Sequence, residues 1–271
     1  MSATTATATP PIGHRGLGRI TGAIADGIAL TGRYLIHYRR VPQLLVFSTI
    51  QPVIFVILFR YVFGGAIRIP GVSYVDYLMP GIFVQTAVFG AVAAAIGLAA
   101  DLKTGVVERF HSLPMARSAL LVGRTTADLT RNVFVTLLMT AVGFAVGFRV
   151  HTSVLGFVAG LVVLLMFGYA MSWIFATVGL AVGDPETAQA AAFPVMAPLV
   201  FASSAFVPVS SMPGWLQVFA EHQPVSVTAS AVRALVLGGP TASWVLQSLA
   251  WSVGILLLFA PLAVRRYRRA V

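Results

Sequence analysis

The sequence predicts an all-helical integral membrane protein with six transmembrane helices. Hydrophobic residues make up 58% of the 271 residues and charged residues only 10%, whereas soluble domains contain about 45 to 50% apolar residues. A helix needs about 20 apolar residues to cross the hydrocarbon core of a bilayer. Six stretches meet this requirement and are predicted to span the membrane, at residues 43–63, 78–100, 129–148, 154–182, 187–207 and 244–264.

The distribution of basic side chains predicts which side of the membrane each loop occupies. Six spans place both termini on the same side, and most of the 18 lysine and arginine residues fall on that side. The others, on the opposite side or near it, are Arg60, Arg68, Arg149 and Arg233. Cytoplasmic loops carry the excess of basic residues, so we expect cytoplasmic N- and C-termini in a bacterial plasma membrane. The same distribution explains the net charge of +10 without nucleic-acid binding.

The chain ahead of the first span divides into two predicted parts. Residues 1–16 are small, polar and proline-bearing, which is typical of a disordered tail. Residues 17–42 place mostly apolar side chains at steps of four or three residues from Ile20 to Tyr38. This pattern indicates an amphipathic helix that lies at the cytoplasmic surface against membrane lipids. An ordinary helix end with flanking positive charges is a compatible interpretation. Residues 265–271 are predicted to form a basic cytoplasmic tail.

Residues 101–128 form the longest predicted cytoplasmic link and combine apolar with charged side chains. Phe110 and Leu113 stand near Glu108, Arg109 and His111. An exposed helical turn with a large apolar residue and a charged rim is typical of a small protein-docking surface. A solvated loop whose arginines only enforce topology explains the same residues equally well.

An external segment, residues 208–240, separates the fifth and sixth spans and is too apolar for a plain loop. It predicts one short helix over residues 213–221 and a second that starts at Pro224 and ends before Gly238, since proline suits a first helical position. Two helices that enter the membrane and return would fit, provided that protein buries their ends. A hairpin on the outer surface would fit as well.

The chain lacks the residue patterns of an enzyme, a metal site or an ATP site. It has no cysteine, its five histidines fall in separate segments, and no GxSxG nucleophile motif is present. A phosphate-binding loop needs glycine immediately before its lysine, but Leu102 precedes Lys103, the single lysine of the chain. The eight acidic residues are all expected in loops or at the ends of spans. No carboxylate is therefore placed to couple transport to protons or sodium.

Two stretches resemble a known family. The run VVERFHSLPMARSALLVGR, which starts at Val106, resembles the cytoplasmic segment of ABC-2 type transporter permeases, particularly those of the daunorubicin-resistance branch. That match is carried by Glu108, Arg109, Ser112, Pro114, Arg117, Gly123 and Arg124. A second run, AFVPVSSMPGWLQVFAEHQPVSVTASAVRALVLGG, resembles the external segment of the same family. Its matching residues are Phe206, Pro208, Met212, Pro213, Trp215, Pro224, Val225, Ser226 and Arg233, and Gln223 stands where many members carry asparagine.

The resemblance covers nearly the whole chain and implies the membrane subunit of an ABC exporter, with a transmembrane domain over residues 43–264. Such permeases pair as homodimers or heterodimers. Each engages a separate cytoplasmic ATPase that binds ATP and Mg²⁺, so this chain itself would hold no cofactor and no metal. The implied coupling helix contains Glu108, Arg109, Phe110, His111, Ser112, Leu113, Pro114 and Arg117. The implied connecting helix beside the same ATPase carries Arg33, Tyr34, His37 and Arg40. The link Gly183 to Thr187 would make a second, smaller contact.

The same resemblance implies an external gate. The re-entrant helix pair would carry the gate residues Pro208, Met212, Pro213, Trp215, Gln223, Pro224 and Arg233. Closure of the ATPases would push the coupling helices and move spans 1, 2 and 5. The path is expected along Phe47, Val53, Phe83, Met196 and Phe201. These side chains favour a hydrophobic or amphipathic cargo such as a drug, an antibiotic or a lipid. Two alternatives stay open: export of a polysaccharide or glycolipid by the same architecture, and a membrane scaffold that transports nothing.

Overall fold

A computed structural model describes residues 42–67, 69, 71–105 and 119–269, together with Gly32. Every regular element in this part of the chain is a helix, which confirms the predicted all-helical class for these residues. The α-helices are α1 (Pro42–Ile57), α2 (Tyr74–Lys103), α3 (Ala119–Ala145), α4 (Val154–Val182), α5 (Pro185–Phe201), α6 (Gly214–His222), α7 (Pro224–Leu237) and α8 (Thr241–Arg269). A π-helical turn (Leu58–Phe63) continues α1, and a 3₁₀ turn (Val209–Ser211) precedes α6.

Local sequence signals set where these helices begin and end. Ser73 and Ser153 cap α2 and α4, because each side-chain oxygen accepts a hydrogen bond from the backbone N–H three residues on. Asp184 caps α5 in the same way, and Pro185 occupies the first helical position, where its missing N–H removes no hydrogen bond. α4 stops at Gly183, whose φ of 74° lies in the left-handed region that favours glycine.

The observed helices follow most of the predicted spans closely. α4 has the predicted bounds, and α1 with its π-helical turn covers residues 42–63. Among the described residues, α2, α4 and α8 up to Arg268 are long and apolar enough to cross a membrane. α5 ends at Phe201 rather than at residue 207. The Ser203 hydroxyl bonds to the Val200 carbonyl at 2.6 Å, and such a local side-chain bond competes with the helical backbone.

The third helix begins earlier than the sequence predicts. α3 starts at Ala119, whereas the sequence predicts a third span over 129–148 and places residues 119–128 in the cytoplasmic link. The expectation that every acid lies in a loop or at the end of a span is therefore wrong for Asp128, whose side chain is fully buried within α3. Residues 119–128 have a low hydropathy because they include the charged Arg124 and Asp128, so a hydropathy criterion excludes them from the span. In the structure Arg124 lies 3.8 Å from Asp128 on the same helical face, so the two charges are paired.

α2 lies at the centre of the bundle against α3, α4, α5 and α7. At the Asp76 end, the Asp76 carboxylate accepts a hydrogen bond from Arg149 N at 2.8 Å, which joins the start of α2 to the link between α3 and α4. At the Lys103 end, Lys103 Nζ lies 2.7 Å from Asp184 Oδ1, which joins the end of α2 to the start of α5. Polar contacts therefore join the helices at both ends of the bundle.

Candidate functional site

The predicted ATPase contacts fall mainly outside the described residues. This applies to Glu108, Arg109, Phe110, His111, Ser112, Leu113, Pro114 and Arg117 of the coupling helix, and to Arg33, Tyr34, His37 and Arg40 of the connecting helix. Their roles stay predictions. The structure does describe the helix ends on both sides of residues 106–118, which are the end of α2 and the start of α3.

A salt bridge holds the link before α5 against the end of α2. Lys103 Nζ donates to Asp184 Oδ1 at 2.7 Å, and the other carboxylate oxygen accepts hydrogen bonds from Thr187 N and Oγ1 at 3.1 and 3.0 Å. The hydrogen bond from Lys103, together with those from Thr187, lowers the pKa of Asp184 from 3.8 to about 2. A lowered pKa means that the folded state favours the carboxylate, so this stabilisation is complete above pH 3.8 and is lost as pH falls through about 2. The contact is thus intact at any physiological pH.

Four charged side chains form a stripe between α2 and α3. Arg124 Nη1 lies 3.3 Å from Asp101 Oδ2, and the Asp128 carboxylate lies 3.8 Å from Arg124 Nε and 3.9 Å from Arg131 Nε. Arg131 Nη2 donates to the Gly90 carbonyl at 2.6 Å, which places this guanidinium near the middle of the 30-residue α2. Two positive and two negative charges balance within the stripe, and only such pairing makes burial of ions tolerable.

A polar recess lies beside this stripe, between α1, α2 and α3. Its volume is about 90 Å³, and its polar lining includes Ser48, Gln51, Gln85, Thr86, Arg131 and Asn132. The Gln85 side chain is 2% exposed, and no hydrogen bond reaches its Oε1 atom from any part of the chain that the structure describes. Buried side-chain oxygens nearly always have a partner. Gln85 is therefore a candidate ligand-binding group.

Arg233 fixes the Asp76 end of the bundle from within α7. Its guanidinium carbon lies 3.7 Å from the centre of the Tyr77 ring, and its Nε donates to the Tyr77 carbonyl at 2.9 Å. The remaining guanidinium nitrogens donate to the Ser204 hydroxyl at 3.1 Å, to the Ala205 carbonyl at 3.2 Å and to the Ser204 carbonyl. One side chain thus ties α2, α7 and the turn after α5 together.

Gln223 anchors the same turn and caps α7. Its Oε1 accepts a hydrogen bond from Val225 N at 3.0 Å, while its Nε2 donates to the Leu199 carbonyl at 2.9 Å and to Ser226 Oγ at 3.2 Å. The side chain is buried, and the buried Pro224 follows at the first position of α7. α7 packs against α2, α4 and α8, so these residues lie inside the bundle.

The other predicted gate residues lie towards the outside. Pro208 and Met212 are partly buried and flank the 3₁₀ turn, and the exposed Pro213 precedes α6. Trp215 on α6 is 78% exposed, and α6 packs against α7 and the 3₁₀ turn. The structure therefore divides the predicted gate into a buried anchor on α7 and an exposed apolar edge on α6.

The described path residues lie in different surroundings. Phe83 is 1% exposed and packs edge-on against Phe148, and Met196 is also buried. Val53 is partly buried against the same hydrophobic core. Phe47 belongs to α1, but its side chain lies outside what the structure describes.

Phe201, the remaining path residue, belongs to an aromatic cluster near the Asp76 end. It is half exposed and stacks on Phe206 with ring centres 6.1 Å apart. Phe59 of the π-helical turn stacks on the other side of the cluster, 4.5 Å from Phe206 and nearly parallel to it. The cluster connects α1 to the end of α5.

Sequence reasoning missed the charged stripe and the recess. A signal for the stripe exists, because Arg124, Asp128 and Arg131 recur at steps of four and three residues, which place them on one helical face. No comparable signal marks Gln85. A single glutamine in an apolar stretch carries no information about whether its amide finds a partner, since that depends on three helices at once.

Comparison with known proteins shows which family the chain belongs to. The family model for ABC-2 type transporters matches residues 27–237. The chain is similar to a daunorubicin resistance ABC transporter permease of Streptomyces coeruleorubidus, with 35% identity over 247 residues, 91% of this chain and 87% of the relative. It is also similar to a probable doxorubicin resistance ABC transporter permease of Mycobacterium tuberculosis (strain CDC 1551 / Oshkosh), with 30% identity over 249 residues, 91% of this chain and 90% of the relative. A putative transport permease of Pyropia yezoensis is 25% identical over 213 residues, 76% of this chain and 72% of that protein. These matches and the long apolar helices show that the chain is an integral membrane permease of the ABC-2 type transporter family.

Proposed function

We propose that this chain is the membrane-spanning subunit of an ABC exporter that moves a hydrophobic or amphipathic drug out across the bacterial plasma membrane. The observation that carries the proposal is the similarity, over 91% of the chain, to a permease named for daunorubicin resistance. The sequence has no phosphate-binding loop, which fits an ATPase on a separate chain. That partner would bind ATP and Mg²⁺ and hydrolyse the ATP.

We propose that the partner ATPase transmits the movement driven by ATP hydrolysis to the Lys103 end of the bundle. Residues 106–118, which include the predicted coupling helix, connect the end of α2 to the start of α3. The Lys103–Asp184 salt bridge fastens the start of α5 to the same place, and the Arg124–Asp101 contact fastens α3 to α2. A push on this segment would therefore act on α2, α3 and α5 together.

The proposed topology has six spans, formed by α1 with its π-helical turn, α2, α3, α4, α5 and α8. Tyr267, near the end of α8, packs in one cluster with Leu98 and Leu121, so the basic end of α8 lies at the Lys103 end. An excess of basic residues marks the cytoplasmic side. The charge distribution therefore supports a cytoplasmic Lys103 end and an external Asp76 end.

The turn after α5 supports the assignment of α5 as a span. With 17 residues, α5 is about 26 Å long, slightly shorter than the hydrocarbon core of about 30 Å. Non-helical backbone is tolerated at membrane depth only where protein satisfies its polar groups. Arg233 and Gln223 do this for the carbonyls of Leu199, Ser204 and Ala205.

An apolar stripe on α1 and its π-helical turn supports pairing with a second permease subunit. Its exposed members recur at helical spacing and are Val46, Ile50, Ile54, Ile57 and Tyr61. The aromatic cluster connects this stripe to the exposed Phe201 of α5. We assign the stripe and Phe201 to the interface of a homodimer or heterodimer, along which an amphipathic cargo would pass.

Co-purification with an ATPase tests the proposal. The tagged chain is co-expressed with the ABC ATPase encoded nearest to it, and the two are expected to elute as one complex. Daunorubicin is expected to stimulate ATP hydrolysis by that complex and not by the ATPase alone. A complex whose ATPase lacks the phosphate-loop lysine controls for contaminating activity. An ATPase that neither co-purifies with the chain nor responds to the drug in its presence would contradict the proposal.

A further inference from the structure

The recess between α1, α2 and α3 is used neither by the proposed coupling contacts nor by the anchor at the Asp76 end. We propose that this recess binds a hydroxyl group of the exported amphiphile, with Gln85 Oε1 as the hydrogen-bond acceptor. The inference rests on the proposed function, because it requires a cargo that enters from the membrane.

Gln85 supplies the first argument. It lies in α2 with 2% exposure, lines the recess, and has no partner for Oε1 within the described ranges. The neighbouring Thr86 hydroxyl donates to the Ile82 carbonyl at 2.7 Å and so is committed to its own helix. An unsatisfied buried oxygen destabilises a fold. Its presence in the centre of the bundle is accounted for if a ligand provides the missing donor.

Charge in the recess indicates which donor fits. Arg131 is the one charged residue among the described residues of the lining, and its guanidinium faces the Asp128 carboxylate at 3.9 Å and the Gly90 carbonyl at 2.6 Å. An anion would therefore find a cation that is already compensated, and a cation would find no acidic side chain among the described residues of the lining. An uncharged hydroxyl avoids both penalties and can donate to Gln85.

The opening of the recess indicates how the ligand enters. Gln51 is exposed and Ser48 is half buried, so the recess opens at the surface of α1. Its volume of about 90 Å³ accommodates a polar group and not a whole drug. The exposed Ile50 and Ile54 stand on either side of Gln51 in the sequence. The apolar body of the cargo would therefore lie along α1 while its hydroxyl enters the recess.

Gln85→Met tests the assignment, because methionine preserves the length of the side chain and removes the acceptor. The purified chain is placed in phosphatidylcholine nanodiscs without nucleotide and titrated with daunorubicin, which carries hydroxyl groups and is fluorescent. The Kd is expected to rise about tenfold, the effect of one lost hydrogen bond to a buried group. The midpoint of thermal unfolding is expected to stay the same or rise, because an unsatisfied buried oxygen has been removed. Gln247→Met, on an exposed residue of α8, is the matched control and is expected to bind like the wild type.

Several results would overturn the inference. One is an unchanged Kd of daunorubicin for Gln85→Met. Another is a raised Kd together with a lower midpoint of thermal unfolding, which would show that Gln85 has a structural role. Tetraphenylphosphonium has no hydrogen-bond donor and is expected to bind the wild type and Gln85→Met alike. If Gln85→Met weakens the binding of tetraphenylphosphonium as much as that of daunorubicin, the result would also count against a hydroxyl site.

If phosphatidylglycerol in the nanodiscs weakens daunorubicin binding to the wild type and not to Gln85→Met, the recess belongs to a lipid headgroup. If the wild type binds no daunorubicin at all, the proposed cargo fails and the inference fails with it.

Discussion

A chain with both Arg109 and Phe110 replaced by alanine is expected to insert into the membrane normally and to lose nearly all drug export. Both residues belong to the predicted coupling helix. A large side chain at the centre of a small interface contributes about 2 kcal/mol or more to binding, which corresponds to a loss of about 30-fold or more in productive engagement of the ATPase. ATP-dependent accumulation of daunorubicin in inverted membrane vesicles, divided by the amount of permease in the membrane, measures the effect.

The matched control removes one arginine and one phenylalanine elsewhere. Arg265 on α8 and Phe134 on α3 are exposed and lie outside the coupling segment. The Arg265→Ala and Phe134→Ala double variant is expected to transport like the wild type. Normal transport by the Arg109→Ala and Phe110→Ala variant would show that the coupling helix is assigned to the wrong residues.

Replacing Arg233 by methionine is expected to destabilise the folded protein more than replacing Arg149 at the same end. The substitution leaves the Ser204 and Ala205 carbonyls and the Tyr77 carbonyl without their charged donor. Loss of hydrogen bonds from a charged group to buried acceptors lowers the free energy of unfolding by about 3 kcal/mol. For a chain of this size, that loss corresponds to a fall of about 6 to 12 °C in Tm. Thermal unfolding of the detergent-solubilised protein measures it.

Two further variants give that prediction its controls. Arg149 lies at the same end but donates to the Phe144 and Phe148 carbonyls from an exposed position, so Arg149→Met is expected to change Tm little. Arg233→Lys keeps the positive charge and loses the planar fork that reaches several carbonyls. Its Tm is expected to lie between those of the wild type and Arg233→Met. Equal values of Tm for Arg233→Met and Arg149→Met would contradict the anchoring role.

The helix bounds that could be predicted are those marked by local chemistry. α4 begins after the capping Ser153 and ends at Val182 before Gly183, and α7 begins at Pro224 and ends at Leu237 before Gly238. These residues act on their own helix, so their effect is visible in the sequence. The start of α3 was not predictable from hydropathy, because the buried Asp128 is compatible with a helix only once Arg124 and Arg131 pair with it.

The roles of the site residues also depend on contacts between distant parts of the chain, which the sequence does not reveal. Gln223 and Arg233 could be selected by family resemblance, but their common task, holding the turn after α5, follows from contacts between distant parts of the chain. Phe83 is a predicted residue of the cargo path, and its side chain packs in the core edge-on against Phe148. Aromatic residues in an apolar helix carry no sequence signal that distinguishes core from path. The coupling residues from Glu108 to Arg117 remain predictions.

Reconstituted transport tests most directly whether this chain is the permease of an ATP-driven drug exporter. Proteoliposomes are prepared with the purified chain alone, with the partner ATPase alone, and with both, and daunorubicin uptake is followed by its fluorescence. We predict uptake only in vesicles that contain both proteins, and only with ATP and Mg²⁺ on the side of the ATPase. Equal uptake by vesicles that lack the ATPase, or no uptake by vesicles that hold the intact complex with ATP, would contradict the account.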